Sequence, residues 1–288
     1  MKRILVTGAT GNIGSRVVSE LMTANVPFRA LTRNPETAKL PPGVEVVRGD
    51  LTNADSLEAC LDGIETVFLV WAAPFNSASA TIEKIAQRAR RIVLLTSPHK
   101  TAHPFFQQPN PMRGLFQGLE RLIEGSGATW TFLRPGMFAT NAVSWWGPQV
   151  RAGNTVRWPC AAALTAPIHE KDIAAVAVRT LLDSGHEGAD YVLTGPESLS
   201  QLEQLKIIGD VIGRTLHYEE LSPEAARREM AAPASVVNML LDAWAASIGQ
   251  PAYITSKVAD ITGRPARTFR DWAKDHAEDF RRLAISGG

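Results

Sequence analysis

Three glycines at a spacing of three, in Val6-Thr7-Gly8-Ala9-Thr10-Gly11-Asn12-Ile13-Gly14, lie between a short apolar run and the helical pattern Ile13, Val17, Val18, Leu21, Met22. That spacing suits the capture of an anion. Gly8 can take a tight turn, Gly11 lets the main chain approach a phosphate with no Cβ in the way, and Gly14 allows the helix to lie close on a sheet. The first turn of the helix then offers unpaired N–H groups and a partial positive charge. A diphosphate is the expected ligand, held by Gly8, Thr10, Gly11, Asn12 and Ile13, and the strand–turn–helix setting makes it the diphosphate of a dinucleotide.

The tip of the second apolar run sorts the two nicotinamide dinucleotides. An acid there would accept from the adenosine ribose hydroxyls and repel a 2′-phosphate, but the sequence reads Leu31-Thr32-Arg33-Asn34. The Arg33 guanidinium can fork onto a phosphate, so NADP(H) is expected over NAD(H). After the third run comes Gly49-Asp50-Leu51. Asp50 could accept from the adenine amino group beside Leu51, or it could cap the turn that follows. Val70, Trp71 and Ala72, then Thr96 and Ser97, fall at the ends of the next two runs and are expected beside the ribose and nicotinamide.

These residues need one sheet edge to hold them in a row. Apolar runs at 3–7, 26–32, 44–48, 66–71, 91–96 and 130–134 read as strands, and the stretches from Ile13 and over 56–61, 81–89 and 115–124 read as the helices between them. The alternation predicts an α/β fold, a Rossmann-type doubly wound parallel sheet with a smaller C-terminal substrate lobe. Residues 1–135 form the dinucleotide-binding core, and 166–195 return to it with a strand and helix over 166–183 and a strand at 191–194. Residues 136–165 and 196–288 form the lobe, in which 137–163 has no clean period and reads as loops and short elements. A helix is expected over 200–212, and a last one over 268–283 sets Phe269, Trp272, His276, Phe280 and Leu283 on one packing face.

Composition narrows the partners. Thirty Lys and Arg against 29 Asp and Glu leave a formal charge of +1, with no basic footprint for nucleic acid or an anionic membrane. No apolar stretch approaches the roughly 18 residues of a membrane span, the first residues are too briefly apolar for a cleavable leader, and the mature chain is expected to begin at Met1. Cys60 and Cys160 lack metal-ligand or disulfide-framework spacing, which fits a reducing cytoplasm. His169-Glu170-Lys171-Asp172 reads as a helix start with acids at its positive end rather than as a metal site, and no metal is expected.

Taken together, the pattern resembles the atypical short-chain dehydrogenase/reductases, and within them the NmrA-like proteins that include quinone, dye and isoflavone-type reductases. The resemblance covers nearly the whole chain. It rests on residues 7–14, on Gly49-Asp50-Leu51, on Glu120 through Ser126-Gly127 into Trp130-Thr131-Phe132-Leu133-Arg134-Pro135-Gly136, on Ile168 through Asp172-Ile173-Ala174, and on Thr262-Gly263-Arg264-Pro265. It implies NADP binding and a substrate cleft between the cofactor domain and the lobe. Reductases of this kind can feed a partner oxygenase, and the group also includes dinucleotide-sensing regulators without turnover.

The larger family's catalytic signature is a Tyr-x-x-x-Lys pair on the helix after the fifth strand, with a Ser at that strand's end. Ser97 is in place, but 107–124 contain neither Tyr nor Lys, and the sole match to the spacing, Tyr253 to Lys257, falls too late in the chain. His99, Lys100 and His103 follow Ser97 and could deliver a proton or touch a phosphate; with Ser97, the two histidines are the catalytic candidates. Without the tyrosine acid, an ordinary ketone is a poor substrate, because its alkoxide needs a poised donor. Quinones, imines or iminium ions and cationic dyes need less, so orientation can carry much of the rate. Aromatic content agrees: Phe75, Phe105, Met137, Phe138, Trp145, Trp146 and Trp158 are expected to wall a pocket for a planar molecule, whereas Trp130 lies within a strand and is expected in the core. The reading is an NADPH-dependent reductase of a conjugated, quinone-like acceptor, acting as a monomer or homodimer; the alternatives are an imine or iminium reductase and a non-catalytic NADP(H) sensor.

Overall fold

The computed structural model describes residues 3–281, so the expected packing of Leu283 lies outside the described residues. The chain runs β1 (Ile4–Val6), α1 (Asn12–Thr23), β2 (Phe28–Thr32), β3 (Glu45–Arg48), β4 (Thr66–Val70), α2 (Ala78–Arg88), β5 (Arg91–Leu95), α3 (Pro104–Gln107), α4 (Arg113–Glu124) and β6 (Thr129–Pro135). It continues through α5 (Asn141–Ala152), β7 (Thr155–Trp158), β8 (Leu164–Thr165), α6 (Glu170–Leu182), β9 (Ala189–Leu193), β10 (Leu199–Ser200), α7 (Gln201–Ile212) and β11 (His217–Glu220). Helices α8 (Pro223–Glu229), α9 (Ala234–Ser247), α10 (Lys257–Thr262), α11 (Phe269–Asp275) and α12 (Ala277–Phe280) complete it.

Seven strands form one parallel sheet in the order β3-β2-β1-β4-β5-β6-β9. The chain moves outward from β1 to β3, crosses back, and builds the other half from β4, so β1 and β4 flank the reversal at which open α/β sheets leave a crevice. Thr7 fastens this point: its hydroxyl accepts from Val70 N at 2.8 Å and reaches Val70 O at 3.2 Å. On one sheet face α1 and α6 bury Val17, Val18, Leu21, Ile173 and Val176. On the other, α2 and α4 bury Ile82, Ile85, Leu119 and Ile123. A separate core in the lobe gathers Trp146, Trp158, Trp244, Phe269, Trp272 and Phe280.

Three sequence expectations give way locally. The expected helix over 56–61 is a single 3₁₀ turn, Ala54–Leu57. Ser56 Oγ donates to the Asn53 carbonyl at 2.6 Å and Asn53 Oδ1 accepts from Asp55 N, so side chains take the backbone groups an α-helix would use. The region read as aperiodic contains α5, twelve residues long with Pro148 inside. Its buried face, Ala142, Trp146 and Val150, keeps a four-residue spacing that Pro148 and its Gly and Trp neighbours mask. The last helix breaks at His276 into α11 and α12, where the imidazole takes Glu170 Oε1 at 2.8 Å and Asp279 Oδ2 at 2.7 Å. His169-Glu170-Lys171-Asp172 is the expected helix start: His169 Nδ1 caps α6 by accepting from Lys171 N.

Candidate cofactor groove and substrate cleft

At the head of β1 the glycines behave as their spacing requires. Gly8 adopts φ +60°, a left-handed conformation that disfavours any side chain. A Cβ at Gly14 would overlap the Gly8 carbonyl, so α1 sits as close to the turn as a backbone can. Gly11 caps α1 without a side-chain hydrogen bond, and no acid lies in the first turn, which leaves the helix-head N–H groups for an anion. Along the strand ends runs a groove of about 530 Å³ floored by Gly8, Thr10 and Gly11 at one end and by Arg33, Asp50 and Leu51 at the other. Val70 and Ala72 line its inner wall. A left-handed turn packed backbone to backbone against Gly14, under an uncapped helix head, fits the diphosphate of a dinucleotide.

Other expected groove residues lie differently. Ile13 is buried, so only its main chain can face an anion. Asn12 turns its amide toward the lobe and donates to Thr140 Oγ1 at 2.8 Å, just before α5. Trp71 does not line the groove: its ring packs into the core on the α2/α4 face of the sheet, because it follows a strand buried on both sides. Asp50 forms the turn, with Oδ1 accepting from Thr52 N at 2.8 Å; that backbone hydrogen bond holds its carboxyl below the usual aspartate range. Arg33 is exposed, and Asn34, Thr37 and Lys39 join it in the groove wall. Thr37 and Lys39 belong to the same loop after β2 as Arg33 and Asn34 but carry no motif of their own. The nearby acid Glu36 is already engaged by Arg48, so Arg33 and Lys39 share this end of the groove with the Asp50 carboxylate, on which Arg33 acts.

Beyond β5 and β6 opens a second cavity of about 340 Å³ between the sheet edge and the lobe. Thr96, Ser97 and His99 stand at its base, Phe105, Met137 and Phe138 on its walls, and Phe106 and Phe116 beside them. The lobe adds Met239, Leu240 and Ala243 from α9, which no sequence signal had singled out. Gln108, Asn110 and Asn141 are its amides, and no Asp, Glu, Lys or Arg lines it among the described residues.

Four expected pocket residues are elsewhere. Trp145, Trp146 and Trp158 belong to the lobe core rather than to the cleft. Trp145 stacks on Trp158 at 5.6 Å and meets Trp244 edge-on at 5.3 Å, so these rings serve to fold a lobe of short elements. Phe75 is 45% exposed and covers Gly118 of α4, where any side chain would displace the ring. His103 is also outside the cleft: it caps α3 by accepting from Phe105 N, and its Nε2 meets Pro251 O at 2.9 Å. Trp130 stacks on Phe132 at 4.2 Å, in the sheet as expected.

Behind the base of the cleft lies a buried network. Arg134, 1% exposed within β6, donates to both oxygens of Glu120 at 2.8 Å and to Ser97 O at 2.8 Å, and it also pairs with Asp190. Thr96 Oγ1 donates to Glu120 Oε1 at 2.7 Å, and Lys100 Nζ reaches Oε2 at 3.2 Å. Burial pushes the Glu120 carboxyl up, but the Arg134 and Thr96 hydrogen bonds outweigh it and hold Glu120 ionised below its usual range. Ser97 Oγ lies 3.2 Å from His99 Nδ1, and an Arg134 N–H lies 3.4 Å from the same nitrogen. Both Nη1 protons of Arg134 already go to Ser97 O and Glu120 Oε1. Nδ1 is thus left to the Ser97 hydroxyl, accepting from it in the neutral ring and donating to it in the imidazolium, while Nε2 faces Glu120 Oε2 at 3.6 Å. Burial lowers the His99 pKa, against the opposing pull of Glu120. A charge within an apolar strand, Arg134, was the sequence signal for this network.

Cradle, bare helix head and sheet reversal define a dinucleotide-binding protein of the Rossmann class. Residues 8–184 match the model of the NAD(P)H-binding family. Over 286 residues the chain is 37% identical to the (4-alkanoyl-5-oxo-2,5-dihydrofuran-3-yl)methyl phosphate reductase of Streptomyces griseus, covering 96% of this chain and 99% of that one. It is 33% identical to the NAD(P)H azoreductase of Xenophilus azovorans, with coverage of 96% and 99%. Among solved structures, the triphenylmethane reductase of Citrobacter sp. shares the fold with a TM-score of 0.81 at 18% identity, over 96% of this chain and 99% of that one. The chain belongs to the NAD(P)H-binding family.

Proposed function

We propose that this protein is an NADPH-dependent reductase of a conjugated, planar and uncharged acceptor, of which a quinone is the model. The observation that carries the reading is the cleft itself: aromatic walls, amide and hydroxyl groups at its rim and base, and no lining charge among the described residues. A cationic dye or iminium ion would lose its hydration there without a carboxylate to replace it, which is costly. Relatives named as an azoreductase and as a reductase of an oxo-dihydrofuranyl phosphate support a conjugated acceptor. The phosphate of the latter would find no Lys or Arg lining this cleft.

When bound, the reduced nicotinamide supplies the hydride. Main-chain groups of Gly8, Thr10, Gly11, Asn12 and Ile13 would hold its diphosphate, and Arg33 with Lys39 the 2′-phosphate. Leu51, with the free oxygen of Asp50, would bound the adenine. Val70, Ala72, Thr96 and Ser97 lie along the path to the cleft, where Gly136, Met137 and Phe138 face the reacting molecule. One feature favours the sensor reading, the lack of Tyr and Lys on α4; an open aromatic cleft has no use in such a protein.

The test is to mix purified protein with NADPH and matched neutral and cationic acceptors and to follow absorbance of the reduced nicotinamide. Turnover of neutral quinones and azo compounds, at least about tenfold better in kcat/KM than of cationic dyes and iminium ions, is expected, a discrimination of about 1.4 kcal/mol. Tight NADPH binding with no turnover of any acceptor would establish the sensor instead.

A further inference from the structure

Reduction by hydride leaves a negative charge on the acceptor that a proton must quench, and the usual tyrosine acid is missing. The base of the cleft holds another arrangement. Ser97 lines the cleft, its hydroxyl is 3.2 Å from His99 Nδ1, and the His99 ring, 6% exposed, turns its other nitrogen toward Glu120. Nε2 is buried and makes no hydrogen bond of normal length. Glu120 is fixed from three directions, by Arg134 on β6, by Thr96 at the end of β5 and by Lys100 on the following loop. A carboxylate so bound cannot swing away, so its charge stays beside the imidazole.

We propose that Ser97 delivers the proton to the reduced acceptor, that His99 replaces it, and that Glu120 is the positioning residue that holds the imidazole ready to do so. The proposal rests on the reductase reading above. The acceptor gains a hydride from the reduced nicotinamide at carbon or nitrogen, and its developing anionic oxygen or nitrogen takes the Ser97 hydroxyl proton. The serine oxygen takes the Nδ1 proton of the His99 imidazolium, which leaves His99 neutral with its Nε2 proton still toward Glu120. Solvent entering the open cleft restores the Nδ1 proton after product departs. The sum is one hydride and one proton added to the acceptor.

The donating form is the imidazolium, and its charged surroundings are mixed. Glu120 favours it; Arg134 on β6, with Asp190 behind it, Lys100 on the same loop and Arg113 on α4 also act on it. Burial is the larger influence and keeps the ring below its ordinary value of 6.5. Proton delivery therefore strengthens as pH falls through that lowered value and is lost above it.

Two measurements test this. Imidazole NMR titration of the free protein, with the His99 resonance assigned by His99→Asn, is expected to show the His99 pKa falling by about one unit in Glu120→Gln. The kcat–pH profile with a neutral quinone is expected to rise toward acid in the unaltered protein. Ser97→Ala and His99→Asn should lose that rise and run about tenfold or more slower at acid pH, with the NADPH dissociation constant of His99→Asn within about twofold, while Glu120→Gln shifts the rise in step with the NMR titration. An acid limb unchanged in Ser97→Ala and His99→Asn would overturn the proposal and leave the reductase reading standing; absence of turnover in the unaltered protein would overturn both. Should Glu120→Gln fail to fold, the other two variants decide the matter.

Discussion

The two cavities of this molecule are lined with different materials. The diphosphate end of the groove is main chain and small residues: Gly8 in a left-handed turn, Gly14 pressed against its carbonyl, the uncapped head of α1. The cleft is lined by side chains on separated elements, Phe105 and Phe106 from α3, Phe116 from α4, Phe138 from the loop before α5 and Met239 and Leu240 from α9. A diphosphate is always the same shape and can be met by backbone, whereas an acceptor is met by whatever surface the lobe presents. A change in the first region should thus act on cofactor binding and a change in the second on acceptor choice or lobe stability.

That division can be broken by substitution, beginning with the heaviest loss. Trp244→Ala removes the ring on which Trp145 and Trp158 close, and should cost about 3–5 kcal/mol in urea unfolding while the remaining folded protein binds NADPH as before. A parallel loss of NADPH affinity would show that the halves are not separable. Gly14→Ala should do the converse, costing about 1–3 kcal/mol through overlap with Gly8 and weakening NADPH by more than about tenfold in calorimetric titration. Arg33→Ala should weaken NADPH by about tenfold, near 1.4 kcal/mol, and leave NADH unchanged; equal loss of both would remove the 2′-phosphate role.

The smallest effect is a pH dependence at the seam between α6 and the C-terminal helices. Burial lowers the His276 pKa, but its bonds to Glu170 and Asp279 outweigh this and raise it above the ordinary 6.5. Its contribution is therefore fully present below 6.5 and is lost as pH rises through the raised value. Glu170 acts in the opposite sense: burial pushes it up, the His169 and His276 bonds prevail and hold it far below its usual range, and its share is lost only in strong acid. Urea unfolding should show stability falling as pH rises above 6.5 through the raised value, and His276→Gln should flatten that slope.

How much could be read from the chain alone follows the same division. The cradle was legible because its requirement is local: three glycines in nine residues, a run before and a helical pattern after. That the sheet is parallel with helices on both faces followed from alternation; its strand order is a finding of the structure. The cleft was legible only where loops after strands carry aromatics, as at Phe105 and Phe138; α9 contributes from a hundred residues away and gives no local sign. Tryptophan misled, since Trp145, Trp146 and Trp158 look alike whether they face a ligand or each other, and Pro148 hid the helix that decides it. The pairing of Glu120 with Arg134 depends on two elements meeting, although a guanidinium inside a buried strand announces that some acid must be near.

Asn12 belongs to both regions. Its main chain is part of the helix head that faces the groove, while its side chain grips Thr140 just ahead of α5. The turn that would meet a diphosphate and the approach to α5 are thus tied through one side chain. A ligand that ordered the helix head would therefore also bear on the cleft wall, where Asn141 stands next to Thr140.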